Sequence, residues 1–295
     1  MKHAYLIMAH HDFPVLCRLI SVIDDARNDI YIHFDKKVES FPEMKVQHAK
    51  LIVVTDRMDV RWGDFSQIET ELLLFRRAYA NGPYAYYHLL SGVDLPLKNQ
   101  DVIHDFFDRH AGKEFIGMYQ GDCGKEIDRK VRHYHLFSRH FRTKPTLLNL
   151  FRSGLRFICL RAQYALSIKR NTGISFKKGA NWVSVTDHFV AYLITRKSLI
   201  KSVFRYSFCA DEIFIQTICW NSPFRERLFH PDHEEAGSLR KIGWFNNALR
   251  DWELDDFDLL VKSDALFARK FTSQHMDVIE KIVSHIVVGT LQDQQ

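Results

Sequence analysis

Short apolar runs alternate with amphipathic segments along the first 120 residues. The runs have the length of buried strands, and they lie at residues 4–9, 29–35, 51–55, 84–90 and 114–118. Between them, apolar residues recur at helical spacing over residues 14–26, 66–80 and 101–110. This alternation predicts an α/β fold with a mostly parallel central sheet flanked by helices.

The second half of the chain has a less regular pattern. It predicts an amphipathic helix over 146–169, a strand over 181–185, helices over 187–197, 211–219, 255–268 and 275–287, and irregular structure over 229–245. There is no internal repeat and no low-complexity linker. We therefore expect a single domain over residues 1–295.

Several polar side chains follow directly after predicted strands. Ligand sites of open α/β sheets lie at the carboxyl ends of strands. We therefore expect His10, Asp35, Arg61 and Asp94 to converge on one site.

Composition narrows the class of protein. With 46% hydrophobic and 26% charged residues, the chain is typical of a folded globular protein, and its apolar runs are too short for a membrane span. The N-terminus has no signal-peptide pattern. Five scattered cysteines without a C-x-x-C pair disfavour a disulfide framework and a structural zinc site. A cytoplasmic location is therefore expected.

The net charge of +5 is unevenly distributed. Thirteen of the 41 Lys and Arg residues lie between Arg129 and Thr186, where there is no Asp or Glu. The rest of the chain therefore has 28 basic and 36 acidic residues. The basic segment faces either an anionic partner or solvent.

The common nucleotide and hydrolase motifs are absent. There is no G-x-x-x-x-G-K-[ST], no G-x-G-x-x-G and no G-x-S-x-G in the sequence. Histidines are numerous, but neither His10-His11 nor His133-x-His135 has a partner cluster with zinc spacing. No metal site is expected.

Two adjacent carboxylates begin the predicted helix at 211–219. Asp211 and Glu212 can serve as a helix N-terminus, where carboxylates offset the macrodipole. Alternatively, Glu212 can act as a general base that takes a proton from a substrate hydroxyl. Both interpretations hold if Asp211 caps the helix and Glu212 projects into a cleft.

Arg240 and Lys270 lie in aromatic surroundings late in the chain. Each alone is typical of a solvated cation. Together, a planar guanidinium and an ammonium group can hold a diphosphate.

Segments in the order found here resemble the core-2/I-branching glycosyltransferases (glycosyltransferase family 14), which include β-1,6-N-acetylglucosaminyltransferases and peptide O-xylosyltransferases. The matching segments are 5–10, 32–36, 60–63, 87–96, 179–182 with 185–186, 210–212, 239–240 and 266–271. They span nearly the whole chain. The resemblance implies a GT-A-type fold and inverting transfer from a UDP-sugar.

The resemblance also implies residue roles. Glu212 stands in the place of the catalytic base, and Arg240 and Lys270 match the cations that hold the donor diphosphate instead of a divalent metal. His10, Asp35, Arg61 and Asp94 are then nucleotide-binding, while Trp182 and Asp211 are on the acceptor side. No cofactor is expected. Residues 1–125 would form the nucleotide-binding half, 126–180 a basic amphipathic insertion, and 181–295 the acceptor and catalytic half.

The chain departs from the animal members, which carry a membrane anchor, a stem and disulfides. It resembles a compact bacterial-type member, so the animal acceptors do not carry over. The basic segment over 129–178 either docks on the inner face of the plasma membrane, near a lipid-linked glycan acceptor, or packs as a surface helix on the core.

The sequence therefore predicts a metal-independent glycosyltransferase of surface polysaccharide biosynthesis, with UDP-N-acetylglucosamine as the first expectation for the donor. UDP-xylose, UDP-glucose and UDP-galactose remain alternatives. A catalytically dead glycan-binding relative is disfavoured by the presence of Glu212, Arg240 and Lys270. A protein that binds nucleic acid through the basic segment is disfavoured by the acidic remainder of the chain.

Overall fold

The computed structural model describes residues 1–246 and 248–292 of the chain. Its strands are β1 (His3–Ala9), β2 (Asn28–Phe34), β3 (Lys50–Val53), β4 (Tyr86–Ser91), β5 (Asp94–Pro96), β6 (Ser184–Thr186), β7 (Arg240–Ile242), β8 (Trp244–Phe245), β9 (Ala248–Leu249) and β10 (Phe267–Arg269). Its α-helices are α1 (Phe13–Val22), α2 (Ser66–Tyr79), α3 (Gln100–Arg109), α4 (Gly124–Val131), α5 (Leu147–Ala165), α6 (Asp187–Thr195), α7 (Lys197–Phe204), α8 (Asp211–Trp220), α9 (Glu234–Ser238), α10 (Phe257–Val261) and α11 (Met276–Gln292).

A five-stranded sheet with the order β3-β2-β1-β4-β6 forms the centre of the molecule. Its first four strands are parallel, and β6 pairs antiparallel with β4 at one edge. Side chains of β1 alternate between two cores. Ala4 and Leu6 pack with α2, α6 and α8, whereas Tyr5 and Ile7 pack with α1, α3 and α11. The predicted α/β fold with a mostly parallel sheet between helices is confirmed.

A smaller sheet has the order β5-β10-β7 and joins segments far apart in sequence. Strand β10 is antiparallel to β5 and parallel to β7. The short hairpin of β8 and β9 follows β7. The late segment of the chain is thereby placed directly after the carboxyl end of β4.

Three predicted elements are wrong. Residues 114–118 form only isolated bridges, from Glu114 to Leu228 and from Phe115 to Ser184. Residues 229–245 contain α9, β7 and β8 instead of irregular structure. Within 255–268 only α10 is α-helical. The buried apolar residues Phe267 and Ala268 belong to strand β10, which local spacing did not distinguish from a helix.

The insertion between β5 and β6 contains α4 and α5. Gln163 is the one buried residue of α5, whereas α4 buries Ile127, Lys130 and Val131. In the described part of the chain, no helix is long and apolar enough to cross a membrane.

Candidate active site

The carboxyl ends of β1, β2 and β4 meet at one edge of the central sheet. The Asp35 amide donates to the Ala9 carbonyl over 2.9 Å, and the Gly92 amide donates to the Met8 carbonyl over 2.9 Å. His10 is exposed at this edge and interacts electrostatically with Asp35. The structure thus brings together two of the residues that the strand pattern predicted.

Asp94 does not lie free at this edge. Its buried carboxylate accepts hydrogen bonds from the Ser91 amide at 2.9 Å and the Ser91 hydroxyl at 2.6 Å. It also forms an ion pair with Arg269, with 2.7 Å between Nη1 and Oδ1. The Arg269 guanidinium in turn lies over the Trp182 ring, 4.5 Å from its centroid. Asp94 therefore fixes a cation against an aromatic ring.

Asp35 and Arg61 belong to a second, more exposed charge cluster. Lys37 Nζ lies 2.6 Å from Asp35 Oδ2 and 3.2 Å from Asp59 Oδ1. Arg61 Nε donates to Asp59 Oδ2 over 3.0 Å, and Arg139 Nη2 is 3.2 Å from the same oxygen. Burial opposes ionisation of Asp59, but Arg61 and Lys37 hold its pKa below the usual range. Cations outnumber carboxylates here.

Arg240 is placed differently from the sequence prediction. Its side chain is buried, and its guanidinium donates to the Ser238 carbonyl at 2.7 Å, the Val183 carbonyl at 3.1 Å and the Ser184 hydroxyl at 2.9 Å. It also lies 4.2 Å from the Phe267 ring centroid. Because these partners occupy both terminal nitrogens, the structure does not present Arg240 to a diphosphate.

Lys270 is accessible, in contrast. Its side chain is one-third exposed, and Nζ lies 3.2 Å from Asp251 Oδ1. The backbone around it is fixed, since the Trp252 amide donates to the Lys270 carbonyl over 3.0 Å. A cation with a single exposed partner can exchange that partner for a phosphate oxygen.

Helix α8 presents the second half of the site. It begins directly after Ala210, which offers no side-chain cap, so Asp211 and Glu212 supply the negative charge at the N-terminus. The Glu212 side chain is 42% exposed. Its Oε2 lies 3.7 Å from Lys130 Nζ and 3.9 Å from Lys178 Nζ. The predicted helix start is confirmed, and Glu212 faces solvent.

The same two lysines bind a second carboxylate. Glu126 Oε1 is 2.6 Å from Lys130 Nζ, and Glu126 Oε2 is 3.0 Å from Lys178 Nζ. Burial opposes the charge of Lys130, but Glu126 and Glu212 outweigh it and raise the Lys130 pKa. The result is a four-charge network that holds Glu212 in place.

Asp211, next to Glu212, has a hydrogen-bond partner of its own. Its Oδ2 accepts from Gln67 Nε2 over 2.9 Å, and the side-chain oxygen Oε1 of Gln67 accepts from the Gly63 amide over 2.6 Å. Burial and the charge of Glu212 raise the Asp211 pKa to about 6. Burial, together with Asp211, also raises the pKa of the wholly buried Glu71. Asp211 thus serves as a support of the loop at 60–64 and of the helix start.

The segment Gly179–Trp182 connects the two halves of the site. The Gly179 amide donates to the Glu212 carbonyl over 3.0 Å, and the Arg269 guanidinium lies over the Trp182 ring. Three residue steps span at most about 11 Å. The segment packs so closely that a Cβ on Gly179 would lie 1.9 Å from the Gly117 carbonyl oxygen. The segment thereby connects the backbone of Glu212 with the Trp182 ring that lies beside Arg269.

Sequence reasoning missed Arg269, Lys130, Lys178, Glu71 and Gln67. Arg269 is adjacent to the predicted Lys270, and Lys178 is adjacent to the matched segment that starts at Gly179. That adjacency was the only feature of the sequence that pointed to Arg269 and Lys178. Among the residues that the structure describes, no group of three or more His, Cys, Asp and Glu side chains is arranged to hold a metal ion.

The fold and the site together define a mostly parallel α/β domain with carboxylates and cations at the carboxyl edge of its sheet. The family model of the Core-2/I-Branching enzyme matches residues 3–250, and the chain belongs to this family.

Two curated relatives cover nearly all of this chain. Xylosyltransferase 1 of Rattus norvegicus is 24% identical in an alignment of 317 positions that covers 99% of this chain and 35% of that protein. Beta-glucuronosyltransferase GlcAT14B of Arabidopsis thaliana is 25% identical in an alignment of 313 positions that covers 96% of this chain and 66% of that protein. The chain thus spans about a third of the length of the animal relative.

Among solved structures, the apo form of mouse xyloside xylosyltransferase 1 aligns with 90% of this chain and 97% of its own, at 10% identity and a TM-score of 0.32.

Proposed function

We propose that the protein is an inverting glycosyltransferase that moves a sugar from a UDP-sugar to a glycan hydroxyl. The observation that carries the proposal is the exposed Glu212 carboxylate at the start of α8, held by Lys130 and Lys178 and linked through Gly179–Trp182 to Arg269. Membership in the Core-2/I-Branching enzyme family and the names of the relatives support the reaction class.

In the proposed reaction, these groups act in a single displacement step. Glu212 takes the proton of the acceptor hydroxyl while the hydroxyl oxygen attacks the anomeric carbon. The bond from that carbon to the diphosphate oxygen breaks, and UDP leaves with the bonding electron pair. Attack opposite to the leaving group inverts the anomeric configuration.

Lys270 stabilises the charge that develops on the departing diphosphate. Cations placed in advance at such a position lower the barrier without further reorganisation. Arg269 is already paired with Asp94. We therefore assign the direct contact to Lys270 and give Arg240 a structural role behind Val183 and Ser184.

The donor sugar is the finer part of the proposal. The relatives' names favour UDP-xylose and UDP-glucuronic acid over the UDP-N-acetylglucosamine expected from the sequence. We retain all three as test donors. Metal independence is also proposed, because the strand-end carboxylate Asp94 is already neutralised by Arg269. The cytoplasmic location and the role in surface polysaccharide biosynthesis stay predictions.

The test compares Glu212→Gln with Glu226→Gln, a matched change at an exposed glutamate of the 3-10 helix Pro223–Arg227. UDP release from the three donors is measured with a panel of oligosaccharide acceptors, and UDP affinity by calorimetry in EDTA and then in Mn²⁺. We expect Glu212→Gln to lose about 10²–10⁴-fold in turnover and to keep its UDP affinity.

Retained turnover in Glu212→Gln would remove the base role from this residue. UDP binding that requires Mn²⁺ would overturn metal independence but keep the donor class. A wild-type protein that neither binds UDP nor releases UDP from any of the three donors would overturn the proposed reaction.

A further inference from the structure

The solvent-facing side of α5 is apolar. Its exposed residues include Leu147, Leu150, Phe151, Phe157 and Ile158, each at least 59% exposed. Spacings of three, four and seven residues place them on one face of the helix, with Gly154 in the middle. We call these five residues the apolar face of α5. An ordinary surface helix turns its polar side to water.

Contacts of α5 with the rest of the molecule lie on the opposite side. Gln163 exchanges hydrogen bonds with the Tyr134 backbone, at 2.7 Å to its amide and 3.0 Å to its carbonyl. The Arg156 guanidinium lies 4.4 Å from the Phe141 ring centroid. These contacts fix the orientation of α5, so the apolar face is directed outward by the fold.

The basic segment divides into two parts in the structure. The cations at the two ends of the segment contact other residues of the protein. Lys130 and Lys178 bind Glu126, Arg132 and Arg170 donate to backbone carbonyls, and Lys177 lies over Trp220. Of the cations near α5, Lys144 and Arg161 are exposed, and the Arg161 guanidinium lies 5.2 Å from the Phe157 ring centroid. No acidic residue lies anywhere between 129 and 186.

We propose that the apolar face of α5 docks on an anionic lipid bilayer, with the helix lying in the plane of the interface. Large apolar side chains enter the boundary of the acyl region while neighbouring cations meet anionic headgroups. Three arginines, Arg152, Arg156 and Arg161, make α5 too polar to span a bilayer, so it lies on the surface. This surface is narrower than the predicted 129–178, since it comprises residues 144–168.

Charge favours an anionic bilayer over a second copy of the chain as the partner of α5. A symmetric contact between two α5 helices would bring two carboxylate-free basic segments together, where like charges repel. A nucleic acid would satisfy the cations but would leave five large apolar side chains in water. An anionic bilayer provides partners for the cations and also removes the apolar side chains from water.

Docking of α5 would also bring the candidate active site close to the membrane. The segment that precedes α5 is attached to the loop at 60–64, because the Ser138 hydroxyl donates to Asp64 over 2.7 Å and Arg142 lies 3.7 Å from the Trp62 ring centroid. If the proposed transfer is correct, this brings the site to a lipid-linked glycan acceptor. The docking itself does not depend on the reaction.

Vesicle flotation tests the proposal without any glycan or donor. The full-length protein is mixed with vesicles of phosphatidylcholine alone or with 30% phosphatidylglycerol. We expect wild-type protein to bind the anionic vesicles, and the double variant Phe151→Ser, Ile158→Ser to bind at least tenfold more weakly. The matched control is Leu199→Ser, Leu259→Ser, two exposed leucines on α7 and α10, which is expected to bind like wild type.

Gly154 offers a gain-of-binding variant. No atom lies within 4 Å of a Cβ built there, so Gly154→Leu adds apolar surface to the middle of the face without a clash. It should bind anionic vesicles several-fold more tightly than Gly154→Ala, which raises helix propensity about equally. A Lys144→Gln, Arg161→Gln pair should weaken binding to anionic vesicles only.

Wild-type protein that fails to float with anionic vesicles would overturn the proposal, as would equal binding by the apolar variants and their control. A wild-type dimer that Phe151→Ser, Ile158→Ser converts to a monomer would assign the face to a second copy instead. UDP affinity is measured on every variant. Since it reports on the site alone, it separates failure of docking from failure of the proposed function.

Discussion

Two arginines on adjacent strands end in unlike surroundings. Arg240, at the start of β7, is buried and bonded to backbone carbonyls, while Arg269, at the end of β10, pairs with Asp94 beside Trp182. Burial lowers the pKa of Arg240, an effect that Asp94 and Tyr5 partly offset. Residue type alone therefore does not identify the cation that meets a phosphate.

The different roles of Arg240 and Lys270 give a paired prediction. Arg240→Ala removes three hydrogen bonds and the contact with Phe267, and should lower the free energy of unfolding by about 2–4 kcal/mol. The UDP affinity of the folded protein should stay within about twofold. Lys270→Ala should do the reverse, with at least tenfold weaker UDP binding and an unchanged melting temperature, as measured by calorimetry and thermal denaturation. Loss of UDP affinity in Arg240→Ala without loss of stability would contradict the structural role of Arg240.

Asp211 gives a pH-dependence prediction. Its folded-state pKa of about 6 lies above the ordinary 3.8, so the folded state binds more protons between about pH 4 and pH 6. The free energy of unfolding contributed by this group therefore falls as pH rises through that window, by up to about 3 kcal/mol, and is constant above it.

Asp211→Asn should remove that part of the pH dependence, because asparagine keeps an acceptor for Gln67 and does not titrate. Chemical denaturation at pH 4.5 and pH 7.5 measures the difference. Asp232→Asn, at an exposed site, is the control. Equal pH dependence in wild type and Asp211→Asn would contradict the raised pKa.

At the scale of elements, the segment Gly179–Trp182 holds the site together. It has no regular secondary structure. The amide at one end is hydrogen-bonded to the Glu212 carbonyl, and the indole ring at the other end packs against the Arg269 guanidinium. Any shift of this segment would move Glu212 and Arg269 relative to each other.

Gly179→Ala tests the segment. The added Cβ would overlap the Gly117 carbonyl oxygen at 1.9 Å, so the backbone must move. We expect a stability loss of about 1–3 kcal/mol and at least a tenfold loss of turnover. Gly173→Ala is the matched control, since a Cβ at Gly173 meets no atom within 4 Å. Full activity in Gly179→Ala would show that the segment does not set the site geometry.

The elements that local patterns define best were predicted from sequence. The buried strand at 29–35 and the helix at 66–80 lie within one residue of β2 and α2. Strand β10 was not predicted, because its three residues form a strand only through pairing with β5 and β7. Glu212 was found through its place at a helix start, whereas Lys130 and Lys178 depend on tertiary contacts. The roles of the site residues remain predictions.

At the scale of the whole molecule, charge and apolar surface are concentrated in the insertion between β5 and β6. The cations at the ends of the basic segment are turned inward, and those near α5 border an apolar face. A nucleic-acid-binding surface would need many outward cations without intervening large apolar residues.

The protein should therefore bind duplex DNA weakly and only at low salt. We expect no binding of a 20-base-pair duplex at micromolar protein in 150 mM salt, measured by fluorescence anisotropy. Apolar-face variants should not change this result. Submicromolar binding at that salt concentration would restore the nucleic-acid interpretation of the basic segment.

Strand β10 also bears on how the chain reaches its native state. It lies between β5 and β7 in the smaller sheet and carries Arg269 to its position beside Asp94. During synthesis, residues 94–96 and 240–242 therefore wait for residues 267–269 before either can pair. The N-terminal strands of the central sheet emerge from the ribosome first. Arg269 can take its place beside Asp94 only once residues 267–269 have been translated.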